Sequence, residues 1–149
     1  MTNLDRLDIL AIAKRLGFHG INGCCGSAAL AINEVLFDNK GQIVMAANST
    51  ILHRNEDFVG HVGVMDEEGV IWDSETVYVG KEGIEDFIGW AVVDPKDDRY
   101  NLVECEASNV DIFVLNSMEE ARNTINACPH ADLVEILRTA KKTHFSDRN

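Results

Sequence analysis

Positive charge is scarce in this chain. Asp and Glu number 25 against 13 Lys and Arg, a formal net charge of −12 with a pI near 4.7. That balance argues against nucleic acid as a partner, because phosphate binding needs a basic footprint. An acidic surface favours neutral or basic substrates. Long apolar runs are missing too, so no transmembrane helix is expected and no membrane partner with it. The opening stretch, MTNLDRLDILAIAKRLG, carries acids inside its apolar segment and has no cleavage pattern, so a signal peptide is not expected. Four cysteines occur, without the spacing of a small disulfide scaffold. A reducing cytoplasm with free thiols is the simplest expectation. Rossmann, P-loop and EF-hand patterns are absent, and no cofactor is expected.

Prolines number only two, Pro95 and Pro129, and there is no repeat or low-complexity segment. What is present is an ordinary hydrophobic fraction, 46% of 149 residues, enough for one domain, 1–149, with a full core. Helical spacing of Leu4, Leu7, Leu10, Ile9, Ile12 and Leu16 predicts a helix over about 3–16, capped by Thr2 or Asn3 and ended by Gly17. A loop covers 18–24. A second helix runs from Cys25 to Phe37 and closes at Asp38-Asn39-Lys40-Gly41. Residues 42–52 fit helix or strand, and helix is the expectation. Strands are expected near 58–66, 69–74 and 76–79, and a short helix over Ile84–Trp90. Leu102–Ala107 and Val110–Asn116 could pair as a hairpin. Ser117 with Glu120 marks a helix to Ala127, and Pro129 starts a last helix to Lys142 with Leu133, Ile136, Leu137 and Ala140 inward. Helices, then an antiparallel sheet, then helices make an α+β domain.

The chemistry concentrates at Gly23-Cys24-Cys25-Gly26. From Gly26 to Phe37 only Ser27, Asn33 and Glu34 are polar, so this helix is buried on nearly every side. Its N-terminus carries partial positive charge and unsatisfied N–H groups. A cysteine there is favoured as thiolate, and the same N–H groups can stabilise an oxyanion. Cys25 opens the helix; Cys24 lies in the preceding loop and is the alternative. The plain alternative for both is a small buried hydrophobe.

Strand alternation places His61, Gly63 and Met65 on one face and Val62 and Val64 on the other. Asp66-Glu67-Glu68-Gly69 suits a three-residue hairpin loop with Gly69 left-handed. That register pairs Asp66 with Val70, Gly63 with Asp73 and His61 with Glu75. Asp73 then becomes the diagonal neighbour of His61, and Gly63 leaves room for its carboxylate. Cysteine, histidine and carboxylate in this arrangement suit a thiol nucleophile: Asp73 orients one imidazole nitrogen while the other faces the sulfur. Glu75 is the fallback carboxylate. His19, His53, His130 and His144 lack a matching carboxylate strand.

At these residues the chain resembles the papain-like cysteine peptidases, locally the bacterial double-glycine leader peptidases that process bacteriocins. Cys25-Gly26-Ser27-Ala28-Ala29-Leu30-Ala31 is similar to their Cys-Gly-x-Ala-Ala/Cys-Leu-Ala motif. His61-Val62-Gly63-Val64 is similar to their His-x-x-Val strand, and Asp73 follows on the next strand as theirs does. The resemblance covers about residues 19 to 75. It implies a central buried helix packed on an antiparallel sheet, a Cys25–His61–Asp73 triad, and a peptide or protein substrate. The family places an oxyanion-binding glutamine six residues before the nucleophile. Here His19 occupies that position, with Asn22 the nearest amide, and no glutamine precedes Gln42. An acyltransferase, an amidase or a non-catalytic interaction module on the same fold are the alternatives. A metal site of Cys24, Cys25 and His61 is disfavoured, since adjacent cysteines lack the separation of zinc ligands.

Overall fold

In a computed structural model, residues 1–19, 25–48, 60–89, 110–114 and 130–146 are described. Helix α1 spans Asn3–Arg15. Thr2 caps it: its hydroxyl accepts the Asp5 N–H, and the Asp5 carboxylate accepts the Thr2 N–H in return. The helix ends at Gly17, whose φ of +98° lets Phe18 N–H reach the Ala13 carbonyl and Gly17 N–H reach Lys14. Ile9, Leu10 and Ala13 face inward.

Helix α2 spans Cys25–Phe37 and is buried along its length, with Glu34 alone half-exposed. It stops where Asp38 and Asn39 adopt left-handed backbone, φ 51° and 62°. Asn33 then fastens the following turn by bonding both the N–H and the carbonyl of Gly41.

Strand β1, Gln42–Asn48, replaces the helix expected over 42–52, of which residues 49–52 lie outside the described residues. The reason is its place in the fold. β1 pairs antiparallel with β2 (Gly60–Met65) on one side and β5 (Val110–Val114) on the other. Ile43 and Met45 bury into one core and Val44 and Ala46 into another. A strand buried on both faces shows no alternation, so periodicity cannot separate it from a buried helix.

Strands β3 (Ile71–Trp72) and β4 (Val77–Tyr78) complete a five-stranded antiparallel sheet in the order β4-β3-β2-β1-β5. Helix α3 spans Gly80–Gly89, starting four residues earlier than expected, and buries Phe87. Helix α4 spans His130–Ser146 and buries Leu133, Val134, Leu137 and Ala140, with Ile136 partly buried; it runs one turn past Lys142. Helices α1, α2 and α4 share a core with Ile43, Met45, Val62, Val64 and Trp72. The opposite sheet face carries Val44, Ala46, Ile71 and Tyr78 packed with Phe87. The protein is therefore α+β, with a sheet covered on both faces. The expected loop from Gly20 to Cys24, the strand over 102–107, the helix over 117–127, and Trp90 and Pro129 lie outside the described residues. Among the described residues no helix is long and apolar enough to cross a membrane.

Candidate active site

The β2–β3 turn decides which side chains meet. Gly69 has φ +80°, its N–H donates to the Asp66 carbonyl, and Asp66 N–H donates to Val70. The Asp66 carboxylate accepts the N–H groups of Glu68 and Val70 and the Trp72 indole N–H. This turn fixes Val64 opposite Trp72 and Met65 opposite Ile71. The expected register follows, and Asp73 falls diagonal to His61. A Cβ at position 63 would lie 2.8 Å from Ile71 Cγ2 and 3.0 Å from both Phe87 and the Trp72 carbonyl, so the close packing here admits glycine and little else.

His61 Nε2 stands 2.7 Å from Asp73 Oδ2, and both side chains are buried, 11% and 4% exposed. The Cys25 thiol hydrogen-bonds the same imidazole. With Nε2 engaged by Asp73, the other ring nitrogen, Nδ1, is the one left for the sulfur. The three groups come from the N-terminus of α2, the start of β2 and the turn after β3. Phe87 of α3 lies against the His61 ring, centroids 5.1 Å apart.

The electrostatics follow from this geometry. Burial by itself would lower the His61 pKa; the hydrogen bonds and charges of Asp73 and Cys25 outweigh it and raise it from 6.5 to about 9. For Asp73 burial works upward, but hydrogen bonds from His61, Tyr78 and the Thr76 backbone hold it below 3.8. Neutral pH therefore finds an imidazolium facing a carboxylate.

The β2–β3 ladder ends at Trp72, because Asp73 N–H donates to the Thr76 carbonyl and the chain turns. The expected His61–Glu75 pair consequently does not form. Glu75 is exposed and pairs with Lys14 of α1 at 3.5 Å, away from the imidazole. His19 is exposed at the end of the α1 cap. Asn22 and Cys24 lie outside the described residues. Cys25 keeps its sulfur buried, the residue being 6% exposed. Among the described residues no three His, Cys, Asp or Glu side chains cluster as a metal site would require.

Two features escaped the sequence reading. Tyr78 of β4 donates its hydroxyl to Asp73 Oδ2 at 2.7 Å. The signal available was weak: a buried tyrosine needs some acceptor for its hydroxyl, and nothing in sequence names it. His144 of α4 meets Asp5 of α1 at 2.9 Å, a histidine–carboxylate pair built across 139 residues of chain. No protein-family model matches the sequence, and neither a curated protein nor a solved structure matches it significantly.

Proposed function

We propose that this chain is a papain-like thiol hydrolase that cleaves a peptide, isopeptide or amide bond, with Cys25 as nucleophile, His61 as proton carrier and Asp73 as the group that orients His61. One observation carries the reading. A thiol at a helix N-terminus and a buried carboxylate both hydrogen-bond a single buried imidazole.

In this reading the imidazolium stands beside the sulfur, the setting in which thiols react as thiolates. The thiolate attacks the substrate carbonyl carbon, and N–H groups of the first turn of α2 receive the oxyanion. Asn22 and His19 are the side chains available to assist from the preceding segment. Collapse of the adduct breaks the C–N bond, and His61 gives its proton to the departing amine. Neutral His61 then takes a proton from water, which attacks the thioester; release of the acid restores thiolate and imidazolium. The acidic surface favours a neutral or basic peptide as substrate.

A second reading, an interaction module without turnover, has its own support: Cys25 is only 6% exposed, which leaves the sulfur little contact with solvent. Alkylation separates the two. Carboxamidomethylation of Cys25 by iodoacetamide, followed by mass spectrometry at about pH 7, should run faster than that of a free cysteine. A rate that matches a free cysteine, or no reaction at all, sinks the hydrolase reading and favours the module.

A further inference from the structure

The Asp73 carboxylate has a full set of partners. Oδ1 accepts the Glu75 N–H at 2.8 Å and the Thr76 N–H at 2.9 Å. Oδ2 takes His61 Nε2 and the Tyr78 hydroxyl, each at 2.7 Å. A carboxylate offers about four acceptor positions, and here all are used. The two backbone donors already hold the group in place, so Tyr78 is not needed to keep it there. What the hydroxyl does is draw charge from the oxygen that faces the imidazole. We infer that Tyr78 is a positioning residue of this site, acting through Asp73: by sharing Oδ2 with His61 it limits how strongly the carboxylate stabilises the imidazolium, whose proton on the opposite nitrogen must leave in each cycle. This rests on the reading of Cys25, His61 and Asp73 as catalytic.

The surroundings make the hydroxyl separable from its ring. Phe87 meets Tyr78 edge-on at 5.3 Å and 69°, and also lies against His61. β4 pairs Tyr78 with Ile71. The ring therefore keeps its packing when the oxygen is removed. Among the described residues, the groups facing His61 include Cys25 from α2, Asp73 from the turn after β3, Ala46 opposite it on β1 and Phe87 from α3. Asp73 and Cys25 are the two of these that titrate.

Each donor to a carboxylate stabilises its charge and weakens its pull on a neighbouring proton. Tyr78→Phe should therefore raise the pH at which His61 titrates, by roughly half a unit to one unit, followed through the imidazole Cε1–H signal by NMR with His61→Gln as assignment control. An unchanged midpoint, with only a loss of stability, would make Tyr78 a core residue with a satisfied hydroxyl and overturn the inference. A lowered midpoint would show the carboxylate swinging away and overturn charge sharing equally. Should Tyr78→Phe fail to fold, 3-fluorotyrosine incorporated in a Tyr100→Phe background leaves the ring in place and makes the hydroxyl a stronger donor. The His61 midpoint should then fall, and a rise or no change refutes the idea. These titrations need no turnover. If Cys25 alkylates as an ordinary thiol while the Tyr78 shifts stand, the hydrolase reading fails and the coupling survives.

Discussion

Among the described residues the molecule builds two histidine–carboxylate pairs, one buried and one partly buried, and they differ in what lies beyond the ring. His61 and Asp73 approach to 2.7 Å, His144 and Asp5 to 2.9 Å, with nearly equal exposure of both histidines. Around Asp5 the partners belong to a helix start: one oxygen faces His144 while the other takes the N–H and hydroxyl of Thr2. That pair ties the last turn of α4 to the first turn of α1. Around Asp73 the partners belong to a turn and a tyrosine, and the imidazole it holds also meets a thiol. A buried histidine with a carboxylate is thus no signature by itself. The adjacent thiol, placed by the N-terminus of a buried helix, is what sets one pair apart from the other.

The sharpest way to break this contrast is to remove the sulfur. Cys25→Ala should reduce any hydrolysis to background while the fold persists, losing less than about 2 kcal/mol on chemical unfolding, and Cys24→Ala should keep much of the activity. Next in size are the two histidines. His61→Ala should slow Cys25 alkylation at neutral pH by about tenfold or more. His144→Ala should leave that rate within about twofold yet cost about 1–3 kcal/mol of stability, because it unties two helices and removes one partner of a buried carboxylate. The reverse pattern would mean that the wrong pair has been identified. Asp73→Asn should reduce reactivity less than either Cys25 or His61 variants, since its part is orientation and charge support.

A pH series sharpens the contrast further. The His61 pKa is raised from 6.5 to about 9. The stability this confers, about 3 kcal/mol, is complete below pH 6.5 and is lost as pH rises through about 9. Asp73, held below 3.8, acts oppositely: its contribution is present above that value and is lost as pH falls through its lowered folded pKa. Urea unfolding of the wild type and His61→Gln should converge at alkaline pH; a gap that stays constant across the His61 range would contradict the assignment. The smallest effect belongs to Glu75→Gln. Its exposed pair with Lys14 is worth less than about 1 kcal/mol, and the titration of His61 should not move. Movement there would return Glu75 to the site.

Much of this arrangement was legible before any coordinates. The bounds Cys25–Phe37 follow from an apolar run closed by Asp38-Asn39, and the diagonal of His61 and Asp73 follows from counting residues through a glycine-bearing turn. β1 was not legible, because burial on both faces erases the alternation that announces a strand. The start of α3 was hidden by Gly80 and Gly83, since glycine is a poor helix former. Gly83 is instead pressed on β4: a Cβ there would lie 2.7 Å from the Tyr78 backbone. The Asp5–His144 pair was beyond reach, since a contact between the first and last helices leaves no local pattern.

The β2–β3 turn works as a counting device. Strand faces alternate with each residue, so a single insertion or deletion between His61 and Asp73 would send the carboxylate through to the other side of the sheet. Spacing here is thus more constrained than composition. Divergent homologues that share the site could change nearly every side chain in this stretch, but they would have to retain His-x4-Asp-x2-Gly-x3-Asp, with a glycine two residues after the histidine. That ruler, rather than overall similarity, is the trait by which such proteins could be sought.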